Sequence, residues 1–257
     1  MKNKIHSTAI IDSTVVLGEE VEIGPYSVIS KNVKIGKNCK IGSHVQINHN
    51  VEIGNQCKIY SSASIGSDPQ DLKYNGEETR LIIGNDTTIR EFSTINRGTG
   101  ESGITLIGNN CLLMAYSHVA HDCHLKNNII LSNGVQLGGH VMIDSNVIIG
   151  GMTPVHQFCK LGEFSFVAGG YRVVQDVPPY IMAKGEPLKY SGVNSIGLRR
   201  SGFNHKDRSL IKNIYSIIYK SGLNITQAMD KINNEFDYSK HTRIILDFID
   251  KSDRGLI

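Results

Sequence analysis

Residues 117–124, Ser-His-Val-Ala-His-Asp-Cys-His, place three histidines and a carboxylate within one short segment. An imidazole that titrates near neutral pH suits removal of the proton from an attacking hydroxyl, and a carboxylate beside it can orient the ring or stabilise the charge it gains. His121 is the first candidate for a general base, and Asp122 for its partner. Adjacent residues on an extended chain point to opposite sides, so the sequence leaves direct contact between the two open.

These residues belong to a repeat. From Ile5 to Val173 there are 29 positions spaced six apart; 26 hold Ile, Leu or Val, and only Asp71, Glu77 and Glu101 break the series. The position after each aliphatic slot is often glycine, as at Gly24, Gly36, Gly54 and Gly84. The fourth position after it is usually small, and all five cysteines, Cys39, Cys57, Cys111, Cys123 and Cys159, fall there. Six residues are too few for a helical repeat or for a strand plus hairpin. The period describes short strands joined by tight turns in a parallel β-helix, three repeats closing one coil of 18 residues. The aliphatic and small positions point inward, which makes the cysteines small buried fillers. An odd number with no C-x-x-C pair suggests neither a disulfide framework nor a zinc knuckle. Glycine, asparagine and aspartate at the corners supply left-handed backbone angles.

With 18 residues per coil, residues 18 apart stack about 4.8 Å from each other. His121, Gly139 and Gln157 then form one outward column, with Asp122, His140 and Phe158 in the column beside it. The patch collects a base, a side-chain-free backbone whose N–H can meet an oxyanion, and further polar groups. The period fails at about 67–80 and 98–105, where polar and turn-forming residues replace the aliphatic ones. These segments are expected to be loops expelled from the coil, and long loops on a rigid scaffold commonly serve binding.

The repeat stops at residues 175–180, Gln-Asp-Val-Pro-Pro-Tyr, where two prolines forbid a helix start. The chain therefore reads as a β-helical domain over 1–180 and an α-helical domain over 187–257. Leu210, Ile211, Ile214, Ile217 and Ile218 recur at helical spacing before Gly222, Asn224 and Gln227 have the spacing of a capping box, and a third helix is expected from Tyr238 to Asp250. Three such helices would cap the open end of the solenoid. The class is mainly β with a small α domain.

Composition sets outer limits. The 257 residues are 40% apolar, with no run of about 18 apolar residues and no signal-peptide core at the N-terminus, which predicts a cytoplasmic protein without stable membrane insertion. Net charge is +3, but residues 187–257 hold 12 Lys and Arg against 7 Asp and Glu, leaving 15 against 17 before them. A basic C-terminal part suits an acidic partner or phosphates, or is a solvated helical surface.

The repeat together with Gln70-Asp-Leu-Lys-Tyr74, Ala120-His-Asp-Cys123, Gly150-Gly-Met-Thr153, Val155-His-Gln-Phe-Cys159, residues 175–180 and the terminal Arg254-Gly-Leu-Ile257 resembles the UDP-N-acetylglucosamine O-acyltransferase family along essentially the whole chain. That resemblance implies a left-handed β-helix and a homotrimer with active sites between subunits. It implies transfer of a 3-hydroxyacyl chain from acyl carrier protein to the 3-hydroxyl of UDP-N-acetylglucosamine, the opening step of lipid A biosynthesis. It assigns His121, Asp122 and Gly139 to catalysis, and His118, His140, His156 and Gln157 to sugar or acyl contacts. Asp71 and Lys73 would reach the substrate across the subunit interface, Asn194 and Arg200 would hold the nucleotide, and Gly169 would end the acyl groove. His118 has an alternative reading as a structural residue, and Arg199 as a surface charge. His6, His44, His49 and His124 are read as solvated. No metal, cofactor or nucleic acid is implied. Gly169 lies 48 residues beyond His121, an axial separation of roughly 13 Å at about 4.8 Å per coil, comparable to an extended acyl chain of on the order of ten carbons.

The chain departs from the family at Ile196, where members commonly carry glutamate, at Ser201, commonly arginine, and at Pro187, commonly histidine. These departures bear on the nucleotide contacts and the acyl-chain end. Three other readings stay open at this point. A 3-amino acceptor sugar, or the related N-acyltransferase, keeps the histidine and the carrier protein, although the latter would carry an added N-terminal uridine-binding domain with no room before Ile5. Hexapeptide-repeat carbonic anhydrases hold zinc with three histidines between subunits. A solenoid used only for binding is the non-enzyme case.

Overall fold

The computed structural model describes residues 2–236 and 239–257. Most repeats contribute a two-residue strand ending on the aliphatic slot, as in Val28–Ile29 and His118–Val119. Strands three repeats apart pair in parallel: Lys4 with Glu22, Ile5 with Ile23, His118 with Gln136. Three sheets of 11, 8 and 8 strands result, wound as a left-handed parallel β-helix. Ile29, Ile47, Ile65, Ile95 and Val119 are fully buried along its axis. Each such side chain contributes about 1.5–3 kcal/mol of burial, which a charged residue at the same slot would forfeit. Asp71, Glu77 and Glu101 accordingly lie in the segments without strands, between Ser67 and Arg80 and between Asn96 and Ile104.

The corners differ from expectation in an informative way. The left-handed angles fall three residues after the aliphatic slot, and mostly not on glycine: Asn32 has φ 57°, Asn50 59°, Phe92 59° and Tyr116 63°. The glycines directly after the aliphatic slot serve close approach instead. A Cβ on Gly24 would come 2.7 Å from the backbone of Gly42 in the next coil, and one on Gly36 would come 2.6 Å from that of Gly54. The cysteines are buried as expected, but they also hydrogen-bond. Cys39 Sγ donates to Gly54 O at 3.1 Å, Cys57 to Gly84 O at 3.0 Å and Cys123 to Gly138 O at 3.1 Å, as Ser27 does to Gly42 O at 2.7 Å.

The residues after Tyr180 do not begin as helices. Ile181–Lys184 stacks in parallel on the last coil, Phe166 opposite Met182, and turns back as the antiparallel strand Lys189–Val193. The helices α1 (Ser195–Arg200), α2 (His205–Lys220), α3 (Ile225–Glu235) and α4 (Lys240–Asp250) follow. The last coil is therefore covered first by a hairpin, against which α2 packs, and Tyr215 on α2 donates to Pro179 O at 2.6 Å. Asn224 and Gln227 form the expected capping box of α3, and Gly222 ends the previous turn with φ 76°. The expected start of the last helix at Tyr238 lies outside the described residues. No helix among the described residues is long and apolar enough to cross a membrane.

Candidate active site

Loop 68–79, loop 97–103, Asp122, His140 and Phe158 succeed one another along a single corner of the β-helix, because each occupies or displaces the left-handed position that joins the same two faces. The periodic scaffold thus brings every candidate of the central patch to one edge.

His121 and Asp122 are in direct contact, Nδ1 to Oδ2 at 2.8 Å. The contact that strand geometry left open exists because Asp122 is the corner residue, with φ 58°, so its side chain turns back beside His121 instead of pointing away. The Asp122 side chain is fully buried. Its oxygens accept from Thr99 N–H at 3.0 and 3.2 Å, from Thr99 Oγ1 at 2.7 Å and from Ser102 Oγ, while its own N–H donates to Thr105 Oγ1 at 2.9 Å. Burial pushes this carboxyl up, but the hydrogen bonds from Ser102, His121 and Thr99 outweigh it and hold the group below the ordinary carboxylate value. An ionised Asp122 accepts from Nδ1–H, so a neutral His121 carries its lone pair on Nε2, the atom free to take a proton.

Gly139 faces that ring. A Cβ there would fall 2.6 Å from His121 Cε1 and 2.8 Å from Nε2, so only glycine leaves the imidazole in place. Its C=O accepts from Phe158 N–H at 3.0 Å, and its N–H has no acceptor among the described residues. His140 meets His121 edge-on at 5.2 Å and stacks on Phe158 at 4.5 Å; its Nε2 lies 3.7 Å from Asp122 Oδ2 and 3.5 Å from Glu101 Oε2. His118 is tied to Thr94 Oγ1 at 2.7 Å, and burial first, then the proximity of His121, lowers its pKa below the ordinary imidazole value. His156 and Gln157 are exposed, the His156 ring resting on the Gln157 carbonyl at 3.0 Å.

The remaining candidates lie apart from this cluster. Asp71 caps its own loop by accepting from Lys73 N–H at 3.0 Å, beside an exposed Lys73 and a fully exposed Leu72. Asn194 is the N-cap of α1, accepting from Gly197 N–H at 3.1 Å and donating to Phe164 O at 3.0 Å, so both ends of its amide are engaged within the chain. Arg200 is exposed and makes no ion pair among the described residues. Gly169 is exposed, with Gly151 O 2.9 Å from where its Cβ would be. His124 is half-buried rather than solvated, with a buried Nε2 that lacks a partner among the described residues, and His49 is half-buried too. His44 stacks on Tyr26 at 5.1 Å, and His6 is exposed.

Sequence reasoning missed Thr99, Ser102 and Arg97. The guanidinium of Arg97 is buried and bonds Gly66 O, Asp68 Oδ1 and, at 3.1 Å, Tyr74 Oη, fastening the first loop to the scaffold. A metal is a poor fit here. His121, Asp122 and His140 bring one ligand atom each within 4.8 Å of one another, but the Asp122 oxygens are already taken by Thr99 and Ser102 donors, and His121 Nδ1 by Asp122.

Fold and site together define an acyltransferase of the hexapeptide-repeat class, in agreement with matches to the bacterial transferase hexapeptide repeat over residues 32–67 and 104–139, and to the second domain of UDP-N-acetylglucosamine O-acyltransferase over 176–257. Acyl-[acyl-carrier-protein]–UDP-N-acetylglucosamine O-acyltransferases from Paraburkholderia phymatum and a Janthinobacterium species are 47% and 49% identical to this chain, covering 99% and 98% of it and the same shares of themselves. The crystal structure of the UDP-N-acetylglucosamine acyltransferase from Bacteroides fragilis superposes with a TM-score of 0.97 at 45% identity, covering 98% of this chain and 99% of that one. The chain belongs to the UDP-N-acetylglucosamine O-acyltransferase family.

Proposed function

We propose that this protein transfers a 3-hydroxyacyl chain from acyl carrier protein to the 3-hydroxyl of UDP-N-acetylglucosamine, the first step of lipid A biosynthesis. The observation that carries this reading is the His121–Asp122 pair, with its free Nε2 facing a glycine whose N–H is unengaged, in a chain similar end to end to enzymes named for that reaction. His121 Nε2 takes the proton of the sugar hydroxyl as the oxygen attacks the thioester carbonyl, and Gly139 N–H donates to the oxyanion. Collapse expels the carrier-protein thiolate, which recovers the proton from His121. Asp122 holds the ring tautomer and stabilises the imidazolium. The thioester supplies the activation, so no cofactor is needed.

His118, His140, His156 and Gln157 border the same patch and suit contacts to sugar and acyl chain, while Asn194 and Arg200 suit the nucleotide. Asn194 would have to exchange one of its present partners for the ligand. Gly169 serves as the end of the acyl groove. The working assembly is a homotrimer in the cytoplasm, with Asp71 and Lys73 reaching a neighbour's site. The bare Leu72 between them supports this, since a fully exposed apolar loop tip is the kind of surface a partner covers. Turnover assays with 3-hydroxyacyl carrier protein and either UDP-N-acetylglucosamine or its 3-amino analogue test the reading. Transfer to the hydroxyl sugar supports it, transfer to the amino sugar alone moves the acceptor to nitrogen, and no transfer to either overturns it.

A further inference from the structure

Loop 97–103 breaks the coil, and an inserted loop free to wander would need no particular neck. This one has a built neck: a Cβ on Gly98 would fall 2.2 Å from Ile104 N, and Gly103 N–H closes the turn onto Thr99 O at 2.8 Å. Glu101 N–H donates back to Thr99 Oγ1 at 3.3 Å, and Ile104 N–H to Ser102 Oγ at 3.3 Å. A loop closed on itself in this way presents fixed donors. All of those named above as reaching Asp122 from outside its own corner, Thr99 N–H, Thr99 Oγ1 and Ser102 Oγ, come from it.

We propose that loop 97–103 is the positioning element of the catalytic pair, with Thr99 and Ser102 as positioning residues that hold the Asp122 carboxylate against His121. The proposal rests on the acyltransferase reading above. Neither residue needs to touch substrate. Their effect passes through Asp122, whose two oxygens cannot rotate away from His121 Nδ1 while three donors from the loop hold them. The charged and titratable groups facing the carboxylate are His121 on its own corner, Cys123 next to it, His140 from the next coil and, through His140, Glu101 of the loop itself. The active form pairs a neutral imidazole with an ionised carboxylate. Donors to the carboxylate hold it in that ionised form, so their removal must move the acid limb of activity to higher pH.

The test is steady-state kinetics of Thr99→Val, Ser102→Ala and the double variant, from about pH 5 to 9, with Thr99→Ser restoring the hydroxyl. The expected result is a kcat lowered on the order of 10-fold in each single variant and further in the double, a KM for sugar changed little, and an acid limb displaced upward. Thr99→Ser recovers most of the lost rate. A folded double variant with the parent kcat and acid limb overturns the proposal. So does a loss confined to KM, or one equal at every pH that Thr99→Ser does not recover. Should the double variant not fold, the single Ser102→Ala variant and Thr99→Ser decide by the same readouts. An inactive parent protein would overturn the acyl-transfer reading instead, and histidine-selective NMR titration of the same variants still reports whether proton uptake by the pair moves, deciding the positioning claim without turnover.

Discussion

The His121 ring lies directly against Gly139, one coil on, with Nε2 2.8 Å from where any side chain at 139 would begin. Gly139 has no left-handed backbone requirement, so the glycine is there for the imidazole and not for the turn. Gly139→Ala is therefore expected to fold normally, because nothing else crowds that Cβ as closely, yet to displace His121 from its place beside Asp122. Activity should fall on the order of 10²-fold or more, since small displacements of a catalytic group are costly. Parent-like melting with lost kcat is the signature to look for; parent-like kcat would show that the ring does not work from this position.

His121→Ala should reduce kcat by on the order of 10² to 10⁴ while assembly is preserved, because a side chain outside the core contributes little to packing. The pH dependence separates the pair's two roles. Asp122 is held below its ordinary value of 3.8, so its stabilising contribution is fully present above that pH and disappears only as pH falls through the lower folded value. A loss of kcat/KM on moderate acidification, above that range, is then expected without loss of fold. Melting temperature and rate measured together across acid pH check this: a melting temperature that falls in step with the rate well above pH 3.8 would contradict it.

How far this was legible in the sequence follows from what a period can encode. Spacing by 18 places His121 over Gly139, and Asp122 over His140 and Phe158, and the structure has those stacks. Contact between His121 and Asp122 depends on one backbone angle at residue 122, which spacing does not report. The Thr99 and Ser102 contacts lie in a segment where the period fails, so stacking arithmetic stops there. The hairpin at Ile181–Val193 escaped because its strands hold few alternating residues, and the prolines before it marked a boundary without saying what followed. The half-burial of His124 is not legible in the spacing because it sits one residue before the inward Leu125, and the inward slots do not describe that position.

Binding of the carrier protein should weaken steeply with salt. Residues 187–257 carry 12 Lys and Arg against 7 Asp and Glu, and Lys206 and Lys212 on α2 are exposed with no ion pair among the described residues. Such unpaired charges act on encounter with an acidic partner and are screened over about 10 Å at 0.1 M salt. Reversing both to glutamate should raise KM for the acyl carrier protein several-fold with kcat nearly unchanged. Kinetics that ignore salt would point to a donor of another kind.

Gly169 is the residue at which two physical demands compete. As the end of an acyl groove it would leave room for longer 3-hydroxyacyl donors, and Gly169→Met should shift preference toward shorter ones. The backbone adds a second demand, because a Cβ there would sit 2.9 Å from Gly151 O, closer than real contacts allow, and a tight 3.2 Å from Gly151 N. Gly169 has no left-handed angle to maintain, so any penalty from a side chain is steric, and it begins with the first carbon. Gly169→Ala separates the two. Alanine supplies the whole of the backbone clash and almost none of the added length, whereas methionine supplies both. If Gly169 ends the groove, alanine keeps the parent order of kcat/KM across a donor series and methionine penalises the long donors selectively. A uniform loss at every chain length, already complete with alanine, would make Gly169 a requirement of coil stacking and move the chain-length determinant elsewhere along the groove.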